Sequence, residues 1–104
     1  KVAISFYDQA CNSGKALYFS RQSIPHNAAL YYEHIGIYAY KRQALKKFVE
    51  APQTQLERQE SLEQLRAYSL GLNIEVHLVD TPPISVDTMA DLEEVRSRHV
   101  CAAN

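Results

Sequence analysis

Tyr32-Glu-His-Ile-Gly-Ile-Tyr-Ala-Tyr-Lys41 alternates with period two. In an extended chain, His34, Gly36, Tyr38 and Tyr40 share one face, and Ile35, Ile37 and Ala39 share the other. The spacing predicts a β-strand whose aliphatic side faces the core. Upstream, Val2 to Tyr7 is rich in β-formers and predicts a first strand. Asn12-Ser13-Gly14 is a turn cluster, and Ala16 to Ser20 predicts a second strand, so the two form a hairpin with a long loop. Ile24-Pro25-His26-Asn27 breaks the chain. Downstream, Lys41 to Ala51 places Ala44, Leu45, Phe48 and Val49 in one apolar stripe, which predicts a helix ended by Pro52. Thr54 with Glu57 is a capping-box signature for a helix from Gln55 to Leu70, and Gly71 is its natural stop. Asn73 to Val79 alternates again, with Ile74, Val76 and Leu78 on one face, and Pro82-Pro83 forces a loop. Asp87 is an N-cap candidate for a last helix from Met89 to about Val100, and Thr88 with Asp91 offers a competing capping box. The expected order is β-β-β-α-α-β-α, an α/β chain forming a single domain over residues 1–104.

Composition narrows the function. The chain has 104 residues, 46% hydrophobic and 22% charged, which is ordinary for a folded globular domain and argues against disorder. Net charge is −1 and no basic block gathers, so a nucleic-acid partner is not expected. No apolar run approaches the ~20 residues of a membrane span, so no membrane partner is expected either. The opening residues do not read as a signal peptide, and the start at Lys rather than Met reads as a processed or trimmed terminus. Cys11 and Cys101 form no Cys-x-x-Cys motif; free thiols are expected, with a single disulfide as the alternative. Gly14, Gly36 and Gly71 are isolated. A phosphate-cradling loop needs clustered glycines, so most of any nucleotide site lies outside this chain.

Several polar residues are hard to place by packing alone. On one continuous helix, Leu56, Glu60, Glu63, Ala67 and Leu70 share a sector. That sets two carboxylates among apolar neighbours, with Gln64 beside Glu60. Desolvated carboxylates need a cationic or hydrogen-bonding partner; otherwise they form a solvated stripe paired with Arg58 and Arg66. His34 and Tyr38, ~13 Å apart along a strand with Gly36 as a recess between them, suit a polyhydroxylated ligand or pack under a helix. Arg21, at a strand end, is placed to clamp a carboxylate or phosphate, or lies on the surface. Asp87 can offer a hard oxygen to Mg²⁺ or act only as a cap. His26, His77 and His99 have no metal-ligand spacing.

The same positions carry a resemblance. Ala16-Leu-Tyr-Phe-Ser-Arg21 with Ile24-Pro25, His34-Ile-Gly-Ile-Tyr-Ala-Tyr40, Leu56-Glu57 with Glu60-Ser-Leu-Glu-Gln-Leu-Arg66, and Val86-Asp-Thr88 with Asp91-Leu-Glu93 and Val95-Arg96 resemble the C-terminal half of the 3-deoxy-manno-octulosonate cytidylyltransferase (CMP-KDO synthetase) family. The resemblance implies transfer of CMP from CTP to the sugar acid KDO, with release of pyrophosphate, for lipopolysaccharide synthesis in the cytoplasm. It implies a nucleotide-sugar-transferase-like α/β fold with a mixed β-sheet, of which this chain holds part. It also implies a homodimer using Mg²⁺. Arg21, His34, Tyr38, Glu60, Glu63 and Gln64 match positions around the sugar acid, and Asp87 matches a metal-binding aspartate. No general base is assigned.

Two departures stand out. Ser85 replaces the glycine usual before Val-Asp-Thr, and Thr-Pro-Glu-Asp-Leu reads Thr88-Met-Ala-Asp-Leu92 here. The family is expected to be about twice this length. Its nucleotide-binding loop, second metal-binding aspartate and cytosine-reading residues have no counterpart in this chain, so the piece alone is expected to be inactive. Two other readings compete. One is a stand-alone, non-catalytic sugar-acid-binding or assembly module. The other is a cytidylyltransferase for another sugar acid, against which the Glu60 to Leu65 segment and His34-Ile-Gly-Ile-Tyr38 favour KDO. Open sheet edges also predict self-association.

Overall fold

The central strand of the sheet is Ser13–Phe19 (β2), and its burial follows the pleat: Gly14 and Ala16 are buried, Lys15 and Leu17 exposed. In the computed structural model, which describes residues 1–81 and 83–103 and the side chains of 1–81 and 83–99, β2 pairs antiparallel with Val2–Phe6 (β1) on one side. On its other side it pairs antiparallel with Glu75–His77 (β3). The expected hairpin is present. Its register runs Val2 to Phe19, Ala3 to Tyr18 and then Ile4 to Ala16, so Leu17 is skipped in a bulge. The bulge restores the inward direction for Phe19, which is 2% exposed. The sheet is wholly antiparallel among the described residues, not mixed as the resemblance implied.

The helices are Arg42–Glu50 (α1), Gln55–Glu60 (α2), Leu65–Ser69 (α3) and Met89–Ala103 (α4). The observed order is therefore β-β-α-α-α-β-α, which differs from expectation at two places.

The first difference is the Tyr32 to Lys41 stretch, which is not a strand. A strand exists only where its amides find a neighbour. Here Tyr32 alone forms a bridge, with Val2 at the outer edge of β1. Ile37 N–H then donates to Ile35 C=O at 2.8 Å, a tight turn around Gly36 that ends the extended run. The aliphatic side does not face a core, since Ile37 is 77% exposed.

The second difference is the long helix, which breaks. The Thr54–Glu57 capping box forms as expected, with Glu57 N–H donating to Thr54 Oγ1 at 3.2 Å. Ser61 then turns left-handed at φ 55°, and the chain restarts as α3. The break gives Glu57 access to Arg66, at 2.6 Å. Nine residues on an unbroken helix span about 13.5 Å of axis and half a turn, which puts these two side chains on opposite faces. Gly71 closes α3 at φ 72°, as expected.

The core is small. Val2, Ala16, Phe19 and Leu65 are buried, with Ile4, Tyr32, Leu62, Tyr68, Ile74 and Val76 packed around them. Tyr68 Oη donates to Ala16 C=O at 2.9 Å and ties α3 to β2. At α4, Thr88 is the cap: its Oγ1 accepts from Asp91 N–H, and Asp91 Oδ2 accepts from Thr88 N–H. The competing capping box thus prevails over Asp87. Cys11 is a free thiol; Pro82 and the Cys101 side chain lie outside the described residues.

Gly14 sits where β1 and β2 approach closely. A Cβ there would stand 2.5 Å from Ser5 C=O and 2.8 Å from Phe6 Cα, both backbone atoms that cannot rotate away. We expect Gly14→Ala to destabilise the fold by about 1–3 kcal/mol or more. Denaturant unfolding checks this, and an unchanged midpoint would show that the two strands separate freely.

Candidate functional site

Where β2 ends, the chain delivers Ser20 and Arg21 to the turn that follows α2. Glu60 holds them there. Its carboxylate accepts from Ser20 Oγ at 3.0 and 3.1 Å, from Tyr18 Oη at 3.3 Å and from Arg21 N–H at 3.3 Å. Arg21 returns the contact: Nε donates to Glu60 C=O at 2.9 Å and Nη2 to Ser61 C=O at 3.1 Å. Strand end and helix end are locked together, with guanidinium N–H groups still free to bind an anion. The Arg21 amide and the Ser20 and Tyr18 hydroxyls hold the Glu60 carboxyl below the usual range.

Above this lock lies a cavity of about 270 Å³ lined by Phe19, Ser20, Arg21, His34, Leu62 and Gln64, with Lys1 and Glu33 at its edge. Gln64 is 7% exposed, and its Nε2 is buried without a hydrogen-bond partner among the described residues. A buried donor left unpaired costs about 1–3 kcal/mol, so it marks a place where an acceptor belongs. His34 packs edge-on against Phe19, centroids 5.3 Å apart. Burial lowers its pKa, which favours the neutral ring, and Nε2 meets the Tyr38 hydroxyl. Burial pushes the Tyr38 phenol up to about 12, so it stays protonated beside that nitrogen.

The sequence-derived candidates therefore divide. Arg21, His34 and Gln64 line one cavity. Tyr38 reaches it through His34, and Glu60 braces it from beneath. The proposed recess between His34 and Tyr38 is absent: their ring centroids lie 5.5 Å apart, because the turn at Gly36 folds the segment back. Gly36 faces open space rather than the gap expected of it. Glu63 is exposed and lines a neighbouring hollow of about 450 Å³, on the other side of Leu62. Asp87 lines neither. It is exposed in the loop before α4, and Oδ2 accepts from Ser85 Oγ at 2.9 Å. The residue standing in place of the family's glycine thus binds the candidate metal ligand itself.

Among the described residues, no group of three or more His, Cys, Asp or Glu is placed to hold a metal. Asp87 fits Mg²⁺ only as one ligand of a site completed from elsewhere. No helix among the described residues is long and apolar enough to cross a membrane.

Sequence reasoning missed Ser20, Glu33 and the Glu57–Arg66 ion pair. Arg66 Nη2 and Nε donate to Glu57 at 2.6 and 3.0 Å, both side chains largely shielded from water. A spacing of nine residues carries no helical-pair signal.

Comparison with known proteins finds clear relatives. The Cytidylyltransferase family model matches residues 3–74. A 3-deoxy-manno-octulosonate cytidylyltransferase of Paramagnetospirillum magneticum is 56% identical over 84 residues, 81% of this chain and 34% of the relative. The enzymes so named from Rhizobium etli and Nitrobacter winogradskyi are 56% and 48% identical over 78% and 86% of this chain, and 32% and 35% of their own lengths. This chain spans about a third of the curated relatives it matches, less than the half expected. No solved structure matches it.

The hydrogen bonds from Arg66 and from Thr54 hold the Glu57 carboxyl below its ordinary 4.5. Depressed carboxyls stabilise the fold fully above their unfolded pKa, and that contribution is lost as pH falls through the folded value. We expect unfolding stability to drop as pH falls below 4.5, with Glu57→Gln flattening the dependence. Denaturant titrations from pH 7 to pH 3 check this; equal slopes in both proteins would remove Glu57 as a source. With residues 3–74 of its 104 matched by the family model, the chain belongs to the cytidylyltransferase family.

Proposed function

We propose that this chain is the sugar-acid-binding and dimerisation part, towards the C-terminus, of a 3-deoxy-manno-octulosonate cytidylyltransferase. The whole protein transfers CMP from CTP to KDO and releases pyrophosphate. The observation that carries this reading is the cavity that brings Gln64, the Arg21 guanidinium and the His34 ring together. That set matches a sugar acid: a fork for the carboxylate, and an amide and an imidazole for hydroxyls. Tyr38 orients His34, and Glu60 orients Arg21. The names of the relatives support KDO over other sugar acids.

In the reaction, a sugar hydroxyl oxygen forms a bond to the α-phosphorus while the bond to the pyrophosphate oxygen breaks. Positioning supplies much of the rate, and the cavity residues hold the attacking hydroxyl in line. Mg²⁺, when bound, screens phosphate charge, and Asp87 contributes one oxygen to it. Glu63 meets the sugar, or the partner subunit of a homodimer, from the neighbouring hollow. Exposed Ile37 and Val49 offer apolar surface for a second copy or for the rest of the longer protein. The reading places the enzyme in the cytoplasm, in lipopolysaccharide synthesis.

Two measurements test this. The full-length protein forms CMP-KDO from CTP and KDO, and the 104-residue chain alone does not. In the full-length protein, Gln64→Leu raises KM for KDO by roughly ten- to a hundredfold, as expected when a ligand loses a buried hydrogen-bond partner. Asp87→Asn lowers turnover with little loss of stability. No product from the full-length protein would overturn the activity, and an unchanged KM would remove Gln64 from the site.

A further inference from the structure

Arg66 lines the neighbouring hollow and not the cavity, yet it touches the supports of both cavity walls. Its Nη2 and Nε grip the Glu57 carboxylate, and its Nη1 donates to Phe48 C=O at 3.4 Å. Its guanidinium lies over the Phe48 ring, 4.7 Å from the centroid. One wall of the cavity comes from Leu62 and Gln64, in the segment strung between α2 and α3. The Glu57–Arg66 pair bridges those two helices directly and so fixes the ends of that segment. The other wall is His34. From Phe48 an unbroken run of rings leads to it: Tyr40 at 5.7 Å, then Tyr38 at 6.2 Å, then His34 at 5.5 Å.

We infer that Arg66, held by Glu57 and stacked on Phe48, is a positioning residue that sets the spacing between the Gln64 wall and the His34 wall. The inference rests on reading the cavity as the sugar-acid site. A planar guanidinium is needed for this. It makes a forked carboxylate contact, a carbonyl contact and a ring contact at once, whereas a lysine ammonium is a single point charge. The contact is also shielded, with side-chain exposures of 14% and 5%, unlike surface pairs that contribute little. Arg66 touches no substrate in this account. It acts through the Leu62 and Gln64 segment and through the aromatic run.

The test uses the full-length protein carrying Arg66→Lys. Nuclear magnetic resonance follows the Gln64 side-chain amide and the His34 ring, with the Gly14 and Ala16 amides as controls in the hairpin. The expected result is shifted Gln64 and His34 signals with unchanged controls. KM for KDO rises by about tenfold or more while KM for CTP stays the same, the outcome of a wall displaced far from the reacting atoms. Glu57→Gln, which keeps an acceptor without the charge, gives a smaller shift in the same direction and serves if Arg66→Lys does not fold. Unshifted Gln64 and His34 signals, or equal changes in both KM values, would overturn the inference. If the wild-type protein makes no CMP-KDO, the functional reading fails, and the two resonances still decide whether Arg66 sets the walls.

Discussion

The burial of Phe19 at the end of β2 is the constraint on which the rest depends. Phe19 and Leu65 are the two largest side chains fully withdrawn from water, and they belong to one cluster joining the sheet to α3. In a domain this small, few such contacts exist, and each carries a large share of the marginal stability. The next two residues, Ser20 and Arg21, have little freedom once Phe19 is seated. They arrive where α2 ends, and Glu60 receives them. The same ring meets His34 in a T-shaped contact and lies 6.2 Å from Tyr68, so the strand that builds the core also builds one side of the cavity.

The site combines satisfied and unsatisfied polar groups, and the difference is informative. Glu60, Glu57 and Arg66 are each held by several partners within the chain. Such networks hold geometry. Gln64 is the opposite case, a buried amide nitrogen with no partner. Arg21 lies between, with Nε and Nη2 on backbone carbonyls and other donors open. A reading from residue types alone treats Glu60, Glu63 and Gln64 as equal ligands. The geometry separates those that brace from those that face the cavity.

Much of the surface remains apolar. Leu17, Ile37, Val49 and Met89 are each more than half exposed, a large apolar area for a chain this short. This agrees with a chain that spans about a third of its relatives and leaves its sheet edges and the Tyr32 to Lys41 segment without strand partners. The alternating pattern of that segment is a strand pattern, and it has no neighbour here to make it one.

Local rules were enough for several features. The hairpin, the Thr54–Glu57 and Thr88–Asp91 capping boxes, and the stop at Gly71 follow from interactions within a few residues, and the amino-acid sequence determined them. It also named Arg21, His34 and Gln64, through residue type and resemblance, before any geometry was known. Only the tertiary structure decided the rest. The helix breaks at Ser61, and the break lets Glu57 and Arg66 meet across nine residues, a contact no local pattern encodes. The predicted third strand fails because strand formation depends on a neighbour rather than on the strand itself. Glu60 became a brace through the position of β2 and the residue after it, some forty residues away along the chain.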